Sequence, residues 1–414
     1  MVGWLRRTLD VWSQSHQKRF RRAAEETNRL PRGIGYIITN EAAERFSYYG
    51  MRTILVVFMC EKLRNSKGEY DTMGDAEARS WYHSFTVGVY LFPFLGALLS
   101  DGFLGKYITI MSFSLVCCAG HLILSLIETR VGLGVGLVLI AIGAGGIKPC
   151  VSANVGDQFC ESNRVLLPKV YGYFYLAINI GAFASSIVTP VLLEAFGSHM
   201  AFGLPGVVMG IATLVLWRGR FTFVQVPPAG LRAITQGMTR EVGLKLGRLL
   251  TVHAFLAVFW SLYDQSGSVW VQQAERMNRN LFGVEWLPSQ IQAINPLLIL
   301  LYVPLFNGIH IAPCGLRRCR ECRFAGIYGW ASQWLELTAL RKISMGFFVT
   351  ILAFGMDMAV EGWISAGETP SILWLLLCYA VLTIAEVGLG GTPTPPHGSS
   401  KRHQRYVPPL GHHS

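Results

Sequence analysis

Stretches of predominantly apolar residues, about 16 to 25 long, recur along this chain, and each is close to the length a helix needs to cross roughly 30 Å of hydrocarbon. In lipid every backbone polar group must find an internal partner, and runs of this length meet that demand as helices. Spans are expected at about 33–60, 81–100, 107–127, 131–150, 171–193, 201–217, 249–266, 291–306, 343–360 and 371–388. A composition 51% hydrophobic and only 15% charged lies outside that of ordinary soluble domains. The expected fold class is therefore an all-α polytopic membrane protein.

The formal charge of +11 would suit a nucleic-acid partner if the basic residues formed a patch. Instead they alternate between loops. With the N-terminus in the cytoplasm, 26 of the 36 Lys and Arg fall on the inside and 7 on the outside, as the positive-inside rule requires. Topology accounts for the excess without nucleic acid. The organisation expected is a basic cytoplasmic arm (1–32), a six-helix half (33–217), a cytoplasmic linker (218–248), a four-helix half (249–388) and a tail (389–414). That tail is too rich in Pro, Gly, Ser and His to cross a membrane and reads as disordered. Residues 1–32 lack the apolar core of a signal peptide, and Trp4, Leu5, Leu9 and Trp12 suit the bilayer surface. The localisation expected is a multi-pass protein of a plasma or inner membrane.

The nine cysteines imply no disulfide framework, being odd in number, with Cys117, Cys118, Cys150 and Cys378 in or beside apolar spans. Cys314, Cys319 and Cys322 cluster with four arginines after His310. That spacing matches no structural zinc site, and a solvated basic loop is the expected reading, with no metal and no cofactor.

The first span places Glu41, Glu44, Arg45 and Arg52 at lipid depth. A charge at the centre of a span costs roughly 2.5–3.5 kcal/mol on insertion scales, so all four must face protein or water. At about 100° per residue they share an arc of roughly 100° with Tyr48. Such a stripe can grip a carboxylate through Arg and carry a proton on a partly buried Glu. Lys148 adds a positive charge behind the glycines of A-I-G-A-G-G-I-K-P, which allow helices to approach closely.

E-A-A-E-R-F-S-Y-Y-G at 41–50 resembles a signature of the proton-dependent oligopeptide transporters, a branch of the major facilitator superfamily. G-A-L-L-S-D-G-F-L-G-K at 96–106, Y-G-Y-F-Y-L-A-I-N-I-G at 171–181, F-W-S-L-Y-D-Q-S-G-S-V-W at 259–270 and W-Y-H-S-F at 81–85 extend the likeness. It covers about 33–387 with a break over 311–333. The resemblance implies a major-facilitator-type bundle with about ten of an expected twelve helices present, the family continuing into two more helices beyond Glu386.

The resemblance also implies roles. Arg45 and Lys148 would hold a peptide carboxylate, helped by Arg52, while Asn179, Asn295 and Glu386 would hold the amino group. Tyr48, Tyr49, Tyr90 and Trp260 would line side-chain pockets. Glu41, Glu44, Arg45 and His83 would couple protons, and Arg248 and Asp264 would form gating bridges between helices. The activity implied is proton-driven symport of di- and tripeptides. Alternatives are a carrier of another small anion or amino acid, or a truncated member that does not transport. An intramembrane aspartyl protease built on Asp264 and Asp357 does not fit the flanking residues.

Overall fold

A computed structural model describes residues 20–237, 239–307 and 338–389, with Ile327 and Trp330. The stretch from Trp4 to Trp12, the cluster of Cys314, Cys319 and Cys322 with His310, and the tail from 390 onward lie outside the described residues.

Four helices open the chain: α1 (Ile34–Val57), α2 (Asp75–Leu99), α3 (Lys106–Leu126) and α4 (Arg130–Asp157). The fifth element, α5 (Leu167–Arg218), is two membrane-length arms meeting at Gly197. Gly197 takes φ 78°, a left-handed conformation that glycine adopts without Cβ strain, and this turns the chain back between the two expected spans. The short α6 (Leu231–Gly237) leads to α7 (Arg240–Tyr263), α8 (Val269–Glu275), α9 (Ile294–Asn307), α10 (Ala339–Ser365) and α11 (Leu373–Leu389). A hairpin of β1 (Asn280–Leu281) and β2 (Val284–Glu285) sits between α8 and α9.

Seven helical stretches are long and apolar enough to cross a membrane, and one of them, Arg164–Phe221, holds both arms of α5. α1 has the length but carries the four charges, and α11 is shorter and apolar. Helices α2, α4, α7 and α10 overrun their apolar runs; α7 starts at Arg240, where Thr239 caps it, rather than at 249. The chain is a multi-pass membrane protein.

The first five helices share one core, in which α1 lies mainly against α5, and α4 against α2 and α3. Gly96 and Gly146 make the α2–α4 contact possible, because a Cβ on Gly96 would collide with the Gly146 backbone. A second core joins α7 to α11 around Trp270, which meets Tyr379 edge-on at 4.6 Å. Among the described residues the two cores form separate clusters, the first reaching Val271 of α8 and the second placing Tyr379 on the wall of the cavity between the halves.

One face, called proximal here, carries residues 20–33. It is laced by Phe20 stacking on Phe221 at 5.4 Å, a parallel bridge of Arg21 with Val224, and Lys106 Nζ bonding Asp157 at 2.6 Å. The opposite, distal face carries the α1–α2 loop, Gly197 and the hairpin.

Candidate functional site

The polar stripe of α1 is buried, with Glu41, Glu44, Arg45, Tyr48 and Arg52 each less than a tenth exposed. Arg45 Nε lies 3.2 Å from Glu41 Oε1, and its Nη2 is in ionic contact with Glu44. Charges are matched, yet neither Glu44 oxygen makes a hydrogen bond of good geometry, and the same holds for Arg45 Nε and Nη2. These groups retain bonding capacity for water or a ligand. Lys148 reaches the same place from α4. Its Nζ stands 5.7 Å from the Tyr48 ring centre and 4.9 Å from that of Tyr90, while Arg45 stands 5.5 Å from Tyr48. Two cations thus rest on aromatic faces, which hold positive charge without neutralising it.

A cavity of about 120 Å³ opens beside this group, between the two halves. Tyr49, Arg52 and Asn179 line it from the first half, and Asn295 and Glu386 from the second. Asn295 Nδ2 donates to Glu386 at 2.8 Å and to Thr383 at 3.0 Å, fixing the carboxylate's orientation. Asn179 donates to the Tyr175 carbonyl at 2.9 Å, which leaves its side-chain oxygen free of that bond.

The structure brings the expected residues together in two neighbouring groups. Tyr49, Arg52, Asn179, Asn295 and Glu386 line the cavity; Glu41, Glu44, Arg45, Tyr48, Tyr90 and Lys148 form the charged and aromatic group next to it. Trp260 touches the cavity only through Tyr263, whose ring centre is 5.2 Å away. The gating expectation divides. Asp264 forms an inter-helix ion pair, with Arg52 of α1. Arg248 is exposed on α7, in a stretch exposed at every position from 239 to 250, and forms no ion pair among the described residues. Arg52, expected to meet substrate, is held by that pair and by Tyr82, which accepts from Arg52 Nε at 2.6 Å.

Further contacts sit at the same level: His83 Nε2 and Ser268 Oγ at 3.1 Å, Gln292 donating to the Thr53 carbonyl at 3.1 Å, and Arg79 donating to Gln272 at 3.2 Å. All join the halves on the distal side of the cavity. The proximal part of α7 is exposed along Leu244–Leu250. The contacts between the halves close the distal side of the cavity.

Sequence reasoning passed over Tyr82, Tyr175, Tyr263, Gln292 and Tyr379, all of which touch Arg52 or the cavity. Three of them stood within the motifs: Tyr175 lies one helical turn before Asn179, Tyr263 beside Asp264, and Tyr82 beside His83. Among the described residues no cluster of His, Cys, Asp and Glu could hold a metal ion.

The family model of the POT family matches residues 107–240 and 231–392. The chain belongs to the POT family. POT-family members are transporters rather than enzymes. Peptide transporter family 1 of Drosophila melanogaster is 35% identical over 385 residues, 80% of this chain and 48% of that protein. Solute carrier family 15 member 2 of Homo sapiens is 34% identical over 384 residues, 80% of this chain and 49% of that one. The chain spans about half the length of the curated relatives it matches. In structure it is similar to the POT family transporter PepTSo, at TM-score 0.72 and 33% identity over 88% of this chain and 83% of that one. It also resembles an auto-inhibited POT family peptide transporter, at TM-score 0.74 and 34% identity over 87% and 81% of the two chains. These comparisons establish the major-facilitator-type POT fold.

Proposed function

We propose that this chain carries di- and tripeptides across the membrane together with protons, with its N-terminus and proximal face in the cytoplasm. The observation that carries the reading is the opposition of charge across the cavity. Glu386, oriented by Asn295 on the second half, shares the cavity wall with Arg52 of the first half, next to the group that holds Arg45 and Lys148. A zwitterionic peptide satisfies both sides at once: its carboxylate goes to Lys148 and Arg45, and its amino group to Glu386 and the oxygens of Asn179 and Asn295. A simple anion would leave the Glu386 carboxylate without a cationic partner. Tyr49 on the cavity wall, with Tyr48, Tyr90 and Trp260 beside it, supplies aromatic surface that accepts side chains of varied shape.

Proton coupling falls to Glu41 and Glu44 beside Arg45, and to His83 beside the Arg52–Asp264 pair. A proton on Glu44 weakens its hold on Arg45 and frees the guanidinium for substrate. A proton on Asp264 removes the charge that keeps Arg52 across the distal gap, and the halves can then part there. One proton charge falling through about 100 mV releases roughly 2.3 kcal/mol, enough for tens-of-fold accumulation without a nucleotide site.

The test is uptake of a labelled dipeptide into vesicles holding this chain, with and without an inward proton gradient, beside Glu44→Gln. Gradient-driven accumulation that disappears in Glu44→Gln, while peptide exchange without a gradient persists, is expected. Accumulation indifferent to the gradient in both proteins would refute proton coupling.

Sidedness has a separate test in Cys160, in the proximal loop between α4 and α5. Its thiol lies 3.0 Å from the Ser162 hydroxyl, and that hydrogen bond draws its pKa down from the ordinary thiol value to about 7. In a chain whose other cysteines are Ser, alkylation at Cys160 should rise with pH around a midpoint near 7. A maleimide that cannot cross the membrane should react only after the cytoplasmic side is opened. Labelling of intact cells from outside would reverse the orientation.

A further inference from the structure

A second cavity lies away from the peptide site, and its chemistry is different. It has a volume of about 180 Å³ and an almost wholly apolar wall. Ile187 of α5 closes it from the first half, Leu297 of α9 and Leu376 of α11 from the second, and Leu281 and Trp286 of the hairpin segment roof it. Such a wall offers water few hydrogen bonds, so water is a poor occupant. Its floor belongs to membrane-spanning helices and its roof to the distal face. The cavity therefore stands at the depth of the hydrocarbon nearest that face.

Aromatic side chains mark the membrane boundary at the same level. Trp363 in the last turn of α10 and Trp374 in the first turn of α11 meet at 5.2 Å, both partly exposed, as residues do at a lipid–water interface. The hairpin is tied to that level, since Asn278 N donates to the Pro370 carbonyl at 3.0 Å and Ile372 N donates to Asn278 at 2.9 Å.

Its turn is unusual. A two-residue hairpin loop with both residues at positive φ calls for Asn-Gly, yet here Phe282 takes φ 55° before Gly283 at 82°. A bulky side chain in that region is strained, and Phe282 is 95% exposed at the tip. Among the described residues almost nothing packs against this phenylalanine. Contact with lipid would supply a partner. Arg279, at the cavity wall, is the cationic group at this level; it meets the largely exposed Glu285 at 3.3 Å through one Nη and keeps other N–H donors for a phosphate.

We infer that this cavity is a phospholipid site of the leaflet at the distal face, with an acyl chain between α5, α9 and α11, the headgroup phosphate on Arg279, and Phe282 anchoring the hairpin over it. Because the wall comes from both halves, and Gln290 beside it donates to the Ile187 carbonyl across the divide at 3.3 Å, an occupant bears on the distally closed arrangement itself. The inference does not depend on what the chain transports, and its test reads lipid rather than uptake.

The chain is reconstituted with phosphatidylglycerol, re-extracted into a mild detergent and weighed by native mass spectrometry. One retained phospholipid per chain is expected. Leu376→Trp and, from the opposite wall, Ile187→Trp should each cut the lipid-bound fraction at least tenfold by filling the cavity. Arg279→Gln should cut it several-fold, and Leu305→Trp, on an exposed position toward the proximal end of α9, should leave it unchanged. Retention equal to the parent chain in both cavity-filling variants, each eluting as a monodisperse folded protein, would overturn the assignment. So would a parent chain that retains no phospholipid.

Discussion

Arg52→Ala is expected to lower the stability of the chain by about 3–5 kcal/mol, the cost of leaving the buried Asp264 carboxylate without its partner. Both side chains lie in the seam between the halves, and Arg52 is also hydrogen-bonded to Tyr82. Taking the charge from one side strands the other in a place that water reaches poorly. The double variant Arg52→Met with Asp264→Leu removes both charges, and it should regain most of the lost stability, since apolar replacement of a buried pair is often neutral or favourable. The two outcomes are read as thermal unfolding in detergent. The double variant should still fail to accumulate peptide, because a distal face closed by apolar contact no longer answers to a proton. If the single variant unfolds at the same temperature as the parent, the pair does not hold the halves together.

Glu386→Gln is expected to reduce uptake of a zwitterionic dipeptide by about 10- to 100-fold, equivalent to the ~1.5–3 kcal/mol of a hydrogen bond to a charged group. Asn295 holds the Glu386 carboxylate against the cavity, and the amide that replaces it accepts one hydrogen bond but brings no charge to meet an ammonium. The control is an N-acetylated dipeptide, which lacks the ammonium. Its uptake, already weak, should not fall further in Glu386→Gln. An equal loss for both substrates would show that the variant damages the protein rather than the amino-group site.

Much of the fold was legible because insertion into lipid is a local property. Each apolar run carries its own demand for a helix, and every expected span coincides with a helix or an arm of one. The turn at 194–200 was foreseen as a break in hydropathy; that it turns on Gly197 at positive φ belongs to the backbone. The stripe on α1 was legible for the same reason, since four charges at lipid depth have no tolerable place except a shared buried face. On the second half, the family resemblance implied Asn295 and Glu386, and a hydrogen bond joins them in the structure.

The partners across the divide were not legible. Asp264 was expected to bridge helices, but nothing in its neighbourhood names Arg52, 212 residues away, rather than Arg248, 16 residues away on its own helix. Gln292 and Tyr379 carried no signal of their own, because a lone polar residue in a span looks the same whether it faces a cavity or a neighbouring helix. The hairpin shows the limit most sharply: Phe282-Gly283 contradicts the residue preference of its turn, and only the membrane level around it gives the exception a cause.

By itself, then, the sequence determined that this chain lives in a membrane, where its helices lie along the chain, and which of them carries charges it must hide. Hydrocarbon enforces those features on any window of about 20 residues, whatever the rest of the chain does. The tertiary structure alone decided which charges meet, which face of the molecule is closed, and that two separate cavities lie between the halves. Those depend on distances between helices far apart in the chain, and no local energy encodes them.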